Sequence, residues 1–148
     1  MLSTTLTALF ERDLRRLKAE LLAYKNEENI WKVAEQISNS AGNLALHLIG
    51  NLNTYIGAEI GKTGYARNRP LEFSAKNVAR DTILNNIDST IGVIRTSLAT
   101  LTDEDYQAEY PQLVLETKTT TEYFFIHLAT HLGYHLGQVN YHRRLLDK

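Results

Sequence analysis

The segment Leu84–Leu101, which reads LNNIDSTIGVIRTSLATL, has the most regular pattern of apolar residues in the chain. Leucine and isoleucine recur there at alternating intervals of three and four residues, at Leu84, Ile87, Ile91, Ile94, Leu98 and Leu101. This spacing places all six side chains on one face of an α-helix, so the segment predicts an amphipathic helix that buries that face. No segment sustains the alternation of apolar and polar residues that is typical of a half-buried strand. The sequence therefore predicts an all-α fold.

Three further segments show apolar residues at helical spacing and are predicted to be helices. They are about Thr5–Tyr24, the stretch from the N-cap candidate Ser40 to Gly61 or Gly64, and about Thr120–Leu146. Threonines can cap the start of the last helix, and Arg143 and Arg144 lie near its end, where the helix dipole favours cations. The chain thus contains four predicted helices, each with one apolar stripe.

The connections between these helices bear on the topology. Ile30–Asn39 is predicted to be a connector with a short helical piece near Trp31, whereas residues 62–73 and 102–119 are predicted to be loops. Ser74 is expected to cap the helix that contains Leu84. Four helices of this kind predict an antiparallel four-helix bundle that forms one domain over residues 1–148. The two longer loops leave room for crossover connections.

Composition narrows the classes of function. The chain has 148 residues, a net charge of −1 and no cysteine. The net charge argues against nucleic acid as a partner, because binding phosphates needs a concentrated positive surface. No apolar run approaches about 20 residues, so no membrane span is expected, and Met1–Thr5 does not resemble a secretory signal. A cytoplasmic protein is expected, in which nitrogen and oxygen atoms hold any metal and any reactive thiol comes from a substrate.

The histidines carry the strongest chemical signal. His127, His131 and His135 are separated by four residues each, and on a helix neighbouring pairs can close on one metal ion. His47 lies on or beside the apolar face of the second helix, and Asn51 follows it by four residues. Two facing helices could therefore supply three imidazoles, and three protein ligands with one open position are typical of catalytic metal sites. The alternative is a histidine-rich helix without a ligand, with His47 as an ordinary core residue.

Other catalytic motifs are absent from the sequence. There is no H-E-x-x-H motif of a zinc protease, and no histidine follows a glutamate by three residues, as in di-iron carboxylate bundles. The chain also has no glycine-rich phosphate loop. The histidine array is therefore the best candidate for a functional site.

Two segments resemble the DinB/YfiT-like superfamily of four-helix-bundle metalloproteins. They are His47-Leu48-Ile49-Gly50-Asn51-Leu52 and His131-Leu132-Gly133-Tyr134-His135-Leu136-Gly137-Gln138, and the segment Arg67–Phe73 is similar to one subgroup. The resemblance implies His47, His131 and His135 as ligands of one divalent transition metal such as zinc, nickel, copper or iron. It leaves His127, Asn51 and Gln138 as an extra ligand or supporting residues, with His127 in place of His135 as the main alternative. Leu136 stands where this superfamily often has arginine.

The resemblance also implies a function. Characterised members of the superfamily transfer low-molecular-weight thiols such as bacillithiol or mycothiol to electrophiles, so the expected activity is a metal-dependent thiol transferase acting on a small-molecule substrate. The alternatives are a metal-dependent hydrolase and a non-catalytic metal-binding stress-response protein. A homodimer is also expected. Arg67 and Arg69 are candidate contacts for an anionic substrate, and the alternative is that they are solvated loop charges paired with Glu72 and Asp81.

Overall fold

The computed structural model describes residues 1–148 and is entirely helical. Its α-helices are α1 (Leu2–Ala23), α2 (Ala41–Leu52), α3 (Arg69–Ser74), α4 (Arg80–Leu98), α5 (Asp103–Gln107) and α6 (Thr121–Leu146). A 3₁₀ turn covers Glu27–Trp31, and a π-helical turn, Asn53–Ala58, continues α2 directly. Only two isolated bridges occur, and no strand forms. The prediction of an all-α fold is confirmed. None of the helices combines the length and the apolar composition that crossing a membrane requires.

The four longer helices pack together as a bundle. Helix α1 packs against α4 and α6, and α2 packs against the same two helices. The two helices that are consecutive in sequence, α1 and α2, therefore share partners instead of packing extensively on each other. The contact between α2 and α6 joins the two helices that carry all five histidines.

The core follows the predicted apolar stripes. On α4 the stripe from Leu84 to Leu98 is buried, and α1 buries a matching stripe of five residues, Leu6, Phe10, Leu14, Leu17 and Leu21. Full burial of each such side chain contributes about 1.5–3 kcal/mol before the entropy cost of folding is counted. Leu101 is only partly buried, because α4 ends at Leu98 and the chain turns away before it.

The structure corrects the predicted boundary around Ser74. This residue does not cap a helix; it is the last residue of α3, whose other residues lie within 62–73, the range predicted to be a loop. Helix α3 begins after Asn68, whose side chain accepts a hydrogen bond from the backbone N–H of Leu71. Pro70 lies in the first turn, where its missing N–H costs nothing. Helix α4 then starts six residues after Ser74, at Arg80, without a side-chain cap.

The other long connection also contains a short helix. Helix α5 lies within residues 102–119, which were predicted to be a loop. Thr102 caps it, and the side chains of Thr102 and Asp105 each bond the backbone N–H of the other. The six residues of α3 and the five of α5 are too few for a helical period to be visible in the sequence, which is why both short helices were missed.

Candidate metal centre

Helices α2 and α6 bring His47, His131 and His135 together. One ring nitrogen of each lies within 4.8 Å of the others. The Nε2 atom of His131 is central: it lies 3.2 Å from Nε2 of His47 and 3.1 Å from Nε2 of His135. His131 and His135 are one turn apart on α6, and His47 reaches them from α2. His47 is buried and the other two rings are half-buried.

Hydrogen bonding at the opposite side of two of these rings assigns their protons. Nδ1 of His47 lies 3.1 Å from Oε1 of Glu72, and Nδ1 of His135 lies 2.6 Å from Oε1 of Gln138. Both oxygens are acceptors, so each Nδ1 carries a hydrogen and each Nε2 presents a lone pair to His131. Nε2 of His131 carries at most one hydrogen and cannot satisfy both neighbours fully. The three nitrogens therefore suit a shared cation better than they suit hydrogen bonds to one another.

The spacing of these nitrogens also fits an ion. Around a tetrahedral zinc ion with zinc–nitrogen distances of about 2.0–2.1 Å, neighbouring nitrogens lie about 3.3 Å apart. The two short separations, 3.2 and 3.1 Å, are close to this value. These three residues could thus hold one divalent ion if His47 and His135, whose ring nitrogens lie within 4.8 Å of each other, close on it.

The electrostatic environment keeps the rings in the form that binds metals. Burial, together with the smaller effects of neighbouring His135 and His47, lowers the pKa of His131 to about 4. Burial also lowers the pKa of His47, although its hydrogen bond with Glu72 opposes the shift. Both rings are therefore neutral at neutral pH, as a nitrogen ligand must be.

A buried ion pair supports His47 from behind. The guanidinium of Arg67 binds both oxygens of the Glu72 carboxylate, with Nε 2.9 Å from Oε2 and Nη2 3.0 Å from Oε1. Nη2 also lies 3.4 Å from Nδ1 of His47. Because Nη2 already donates to the closer Oε1, and Nδ1 faces that same oxygen, we assign the Nδ1 hydrogen of His47 to Glu72. Sequence reasoning treated Glu72 only as a charge partner. Its place beside the site depends on α3, which was predicted to be a loop.

The other candidate residues occupy distinct places. His127 stacks between Phe124 and His131, with ring centroids 6.1 and 6.3 Å apart, and is not one of the three grouped histidines. Gln138 contacts His135, as described above. Asn51 is buried near His47, and its Oδ1 has no hydrogen-bond partner.

The two arginines differ from each other. Arg67 pairs with Glu72, as the solvated-charge alternative expected, but the side chains are only 12% and 7% exposed, so the pair is not solvated. Arg69 has no carboxylate partner and lies over the ring of Phe73, 5.4 Å from its centroid. Both arginines line a cavity of about 180 Å³ that also contacts His47 and His131. The loop that follows α2 therefore folds back to the histidines.

A second cavity, of about 440 Å³, lies beside His135 on α6. Its wall includes His135, Gln138, Tyr134 and Ser38. The histidine group thus has space beside it in two places, one with cationic walls and one with aromatic and amide walls. Either could admit a small molecule to the exposed side of the three nitrogens.

Comparison with known proteins identifies the family but no activity. No curated protein matches the chain. A family model described as "Protein of unknown function (DUF1572)" matches residues 4–148. This match covers nearly the whole chain, including both histidine-bearing helices. The chain belongs to the DUF1572 family.

Proposed function

We propose that this protein is a metal-dependent transferase that activates a low-molecular-weight thiol at His47, His131 and His135. The observation that carries the proposal is the convergence of three Nε2 atoms that hydrogen bonds among themselves cannot satisfy. We also propose that the bundle is of the DinB type, on the basis of the two histidine motifs and their placement on α2 and α6.

Charge favours an anionic co-substrate at such a centre. The three imidazoles are neutral ligands, and the nearby Glu72 carboxylate is already paired with Arg67. A divalent ion would therefore keep its full charge, and Arg69 adds a further positive charge at the cavity wall. The chemistry that such an ion supplies is a lower pKa for a bound thiol, which makes a thiolate nucleophile available at neutral pH.

The protein's own residues support this assignment in three further ways. The chain has no cysteine, so no internal thiol competes for the ion or for an electrophile. The half-buried positions of His131 and His135 leave one side of the group accessible from the adjoining cavities. Glu72 and Gln138 orient two of the rings, so the ligand atoms are fixed before a substrate binds.

Cobalt substitution tests the proposed function. Metal-free protein loaded with Co²⁺ should show visible absorption bands that change when L-cysteine is added and do not change with L-serine, its matched alcohol. A thiol that binds the ion should also introduce a sulfur-to-cobalt charge-transfer band. Spectra that respond to neither compound would contradict the thiol proposal. Metal-dependent ester hydrolysis in the same sample would then favour a hydrolase.

A further inference from the structure

We propose that Glu72 is a positioning residue for His47. Arg67 holds the Glu72 carboxylate in place, and Gly50 leaves the space that the carboxylate occupies. In this arrangement the carboxylate fixes the tautomer of His47 that points the Nε2 lone pair at the metal position, while Arg67 balances the charge of the carboxylate. This inference rests on the proposed metal site but concerns residues outside the three ligands.

The ion pair is built as a unit. A buried carboxylate is unfavourable unless its charge is paired and its oxygens are hydrogen-bonded. Arg67 meets this requirement with a two-pronged contact to both oxygens, a geometry that lysine cannot copy. Oε1 is shared between Arg67 and His47, so the carboxylate links the guanidinium to the imidazole.

Gly50 explains how the carboxylate fits against α2. A Cβ atom at this position would lie 1.9 Å from Oε2 and 2.6 Å from Cδ of Glu72, so any larger residue would displace the carboxylate. Glycine inside a helix is less favourable than alanine by about 1 kcal/mol. At Gly50, one turn after His47 on the same helix, the missing side chain provides the space that Glu72 occupies.

The backbone of α3 is fixed to α2 at the same point. The side-chain amide of Asn43, which is buried, donates hydrogen bonds to the carbonyl oxygens of Glu72 at 2.9 Å and Ala75 at 2.8 Å. These bonds hold the short helix over α2 and set the height from which the Glu72 side chain reaches His47. The Arg67 side chain, the Asn43 bonds to the α3 backbone and the space at Gly50 therefore all support the contact between Glu72 and His47.

The experiment compares the Zn²⁺ affinity of metal-free variants, measured by competition with a chromophoric chelator. Glu72→Gln removes the charge with almost no change in shape, and Gly50→Ala leaves the charge but displaces the carboxylate. Both should weaken Zn²⁺ binding about tenfold, the lower end of the range for losing a partner of a histidine ligand. Glu20→Gln is the matched control, since Glu20 forms an ion pair with Arg143, at a distance of 2.8 Å, that is separate from the histidine site. Gly92→Ala is the control for the glycine, because a Cβ there meets nothing within 4 Å. Both controls should bind Zn²⁺ as the wild type does.

A second readout separates positioning from a general effect on stability. In metal-free protein, long-range ¹H–¹⁵N NMR should show His47 as the Nδ1–H tautomer in the wild type and in the Gly92→Ala control, and as a mixture in Gly50→Ala. If Glu72→Gln does not fold, Gly50→Ala decides the question, because its clash falls on the movable end of a side chain.

The possible results distinguish this inference from the proposed function. Suppose that Gly50→Ala, and Glu72→Gln if it folds, bind Zn²⁺ with wild-type affinity and keep the His47 tautomer, while His131→Ala loses binding. This result would overturn the role of Glu72 and leave the metal site intact. Absence of Zn²⁺ binding by the wild type would overturn the metal site itself, and the inference with it.

Discussion

Replacement of Asn43 by alanine should destabilise the protein strongly, because this side chain joins α3 to the bundle. Its amide donates to the carbonyl oxygens of Glu72 and Ala75, and its Oδ1 accepts from the hydroxyl of Ser40 at 2.6 Å. A fourth hydrogen bond, from Lys76 Nζ at 3.4 Å, is long and is left out of the sum. Each of the three short hydrogen bonds contributes about 1 kcal/mol, so their loss predicts about 3 kcal/mol less free energy of unfolding. For a chain of this length that corresponds to a melting temperature lower by about 6–12 °C.

Urea denaturation of metal-free protein measures this loss directly. Asn140→Ala is a suitable control, since the Asn140 side chain makes only one short hydrogen bond, to Glu20 at 2.8 Å, and one long one, from Arg144 at 3.5 Å. It should cost less than about 1 kcal/mol. If Asn43→Ala were equally mild, the hydrogen bonds between α2 and α3 would not hold α3 in place. Glu72 would then be held against His47 by its side-chain contacts with Arg67 and His47 alone.

Two other predictions concern the bundle. Burial lowers the pKa of His142, as it does those of His47 and His131, so the unfolded state binds more protons below about pH 6.5. The free energy of unfolding of the metal-free protein should therefore fall as the pH drops toward the folded-state pKa values. A urea midpoint that is equal or higher at acidic pH than at neutral pH would contradict this. Gly42→Ala would place a Cβ 2.7 Å from the ring of Trp31 and should lower the free energy of unfolding by about 1–3 kcal/mol. At Gly92 a Cβ meets open space, so Gly92→Ala should leave stability unchanged or raise it by up to about 1 kcal/mol. Equal melting temperatures for the two variants would contradict this.

The features that the sequence predicted correctly are those that depend on local spacing. The stripe from Leu84 to Leu98 is buried because a helical period places those residues on one face whatever surrounds them. His131 and His135 are close for the same reason, since residues four apart on a helix are neighbours. The approach of His47 is different, because it requires α2 to pack on α6. The position of His47 beside an apolar face made that packing a possibility, and the resemblance to the DinB/YfiT-like superfamily implied it.

The features that the sequence did not reveal depend on short elements and long-range contacts. Helix α3 has six residues, too few to show periodicity, and its start depends on Asn68 and Pro70 in combination. Without α3, nothing indicated that Glu72 would lie against His47, 25 residues away along the chain. The role of Gly50 was also not visible in the sequence. A glycine inside a helix can be explained only when the atoms that fill the space beside it are known.

The most direct test of the metal site is the transition-metal content of protein purified without a nickel column. We expect one equivalent of a divalent ion, such as zinc, nickel, copper or iron, in the wild type and in His127→Ala, because His127 lies outside the three-nitrogen group. His131→Ala and His135→Ala should each lose the ion, and circular dichroism should show that both remain helical. Unchanged metal content in those two variants, or loss of metal in His127→Ala alone, would contradict the assignment of His47, His131 and His135 as the ligands.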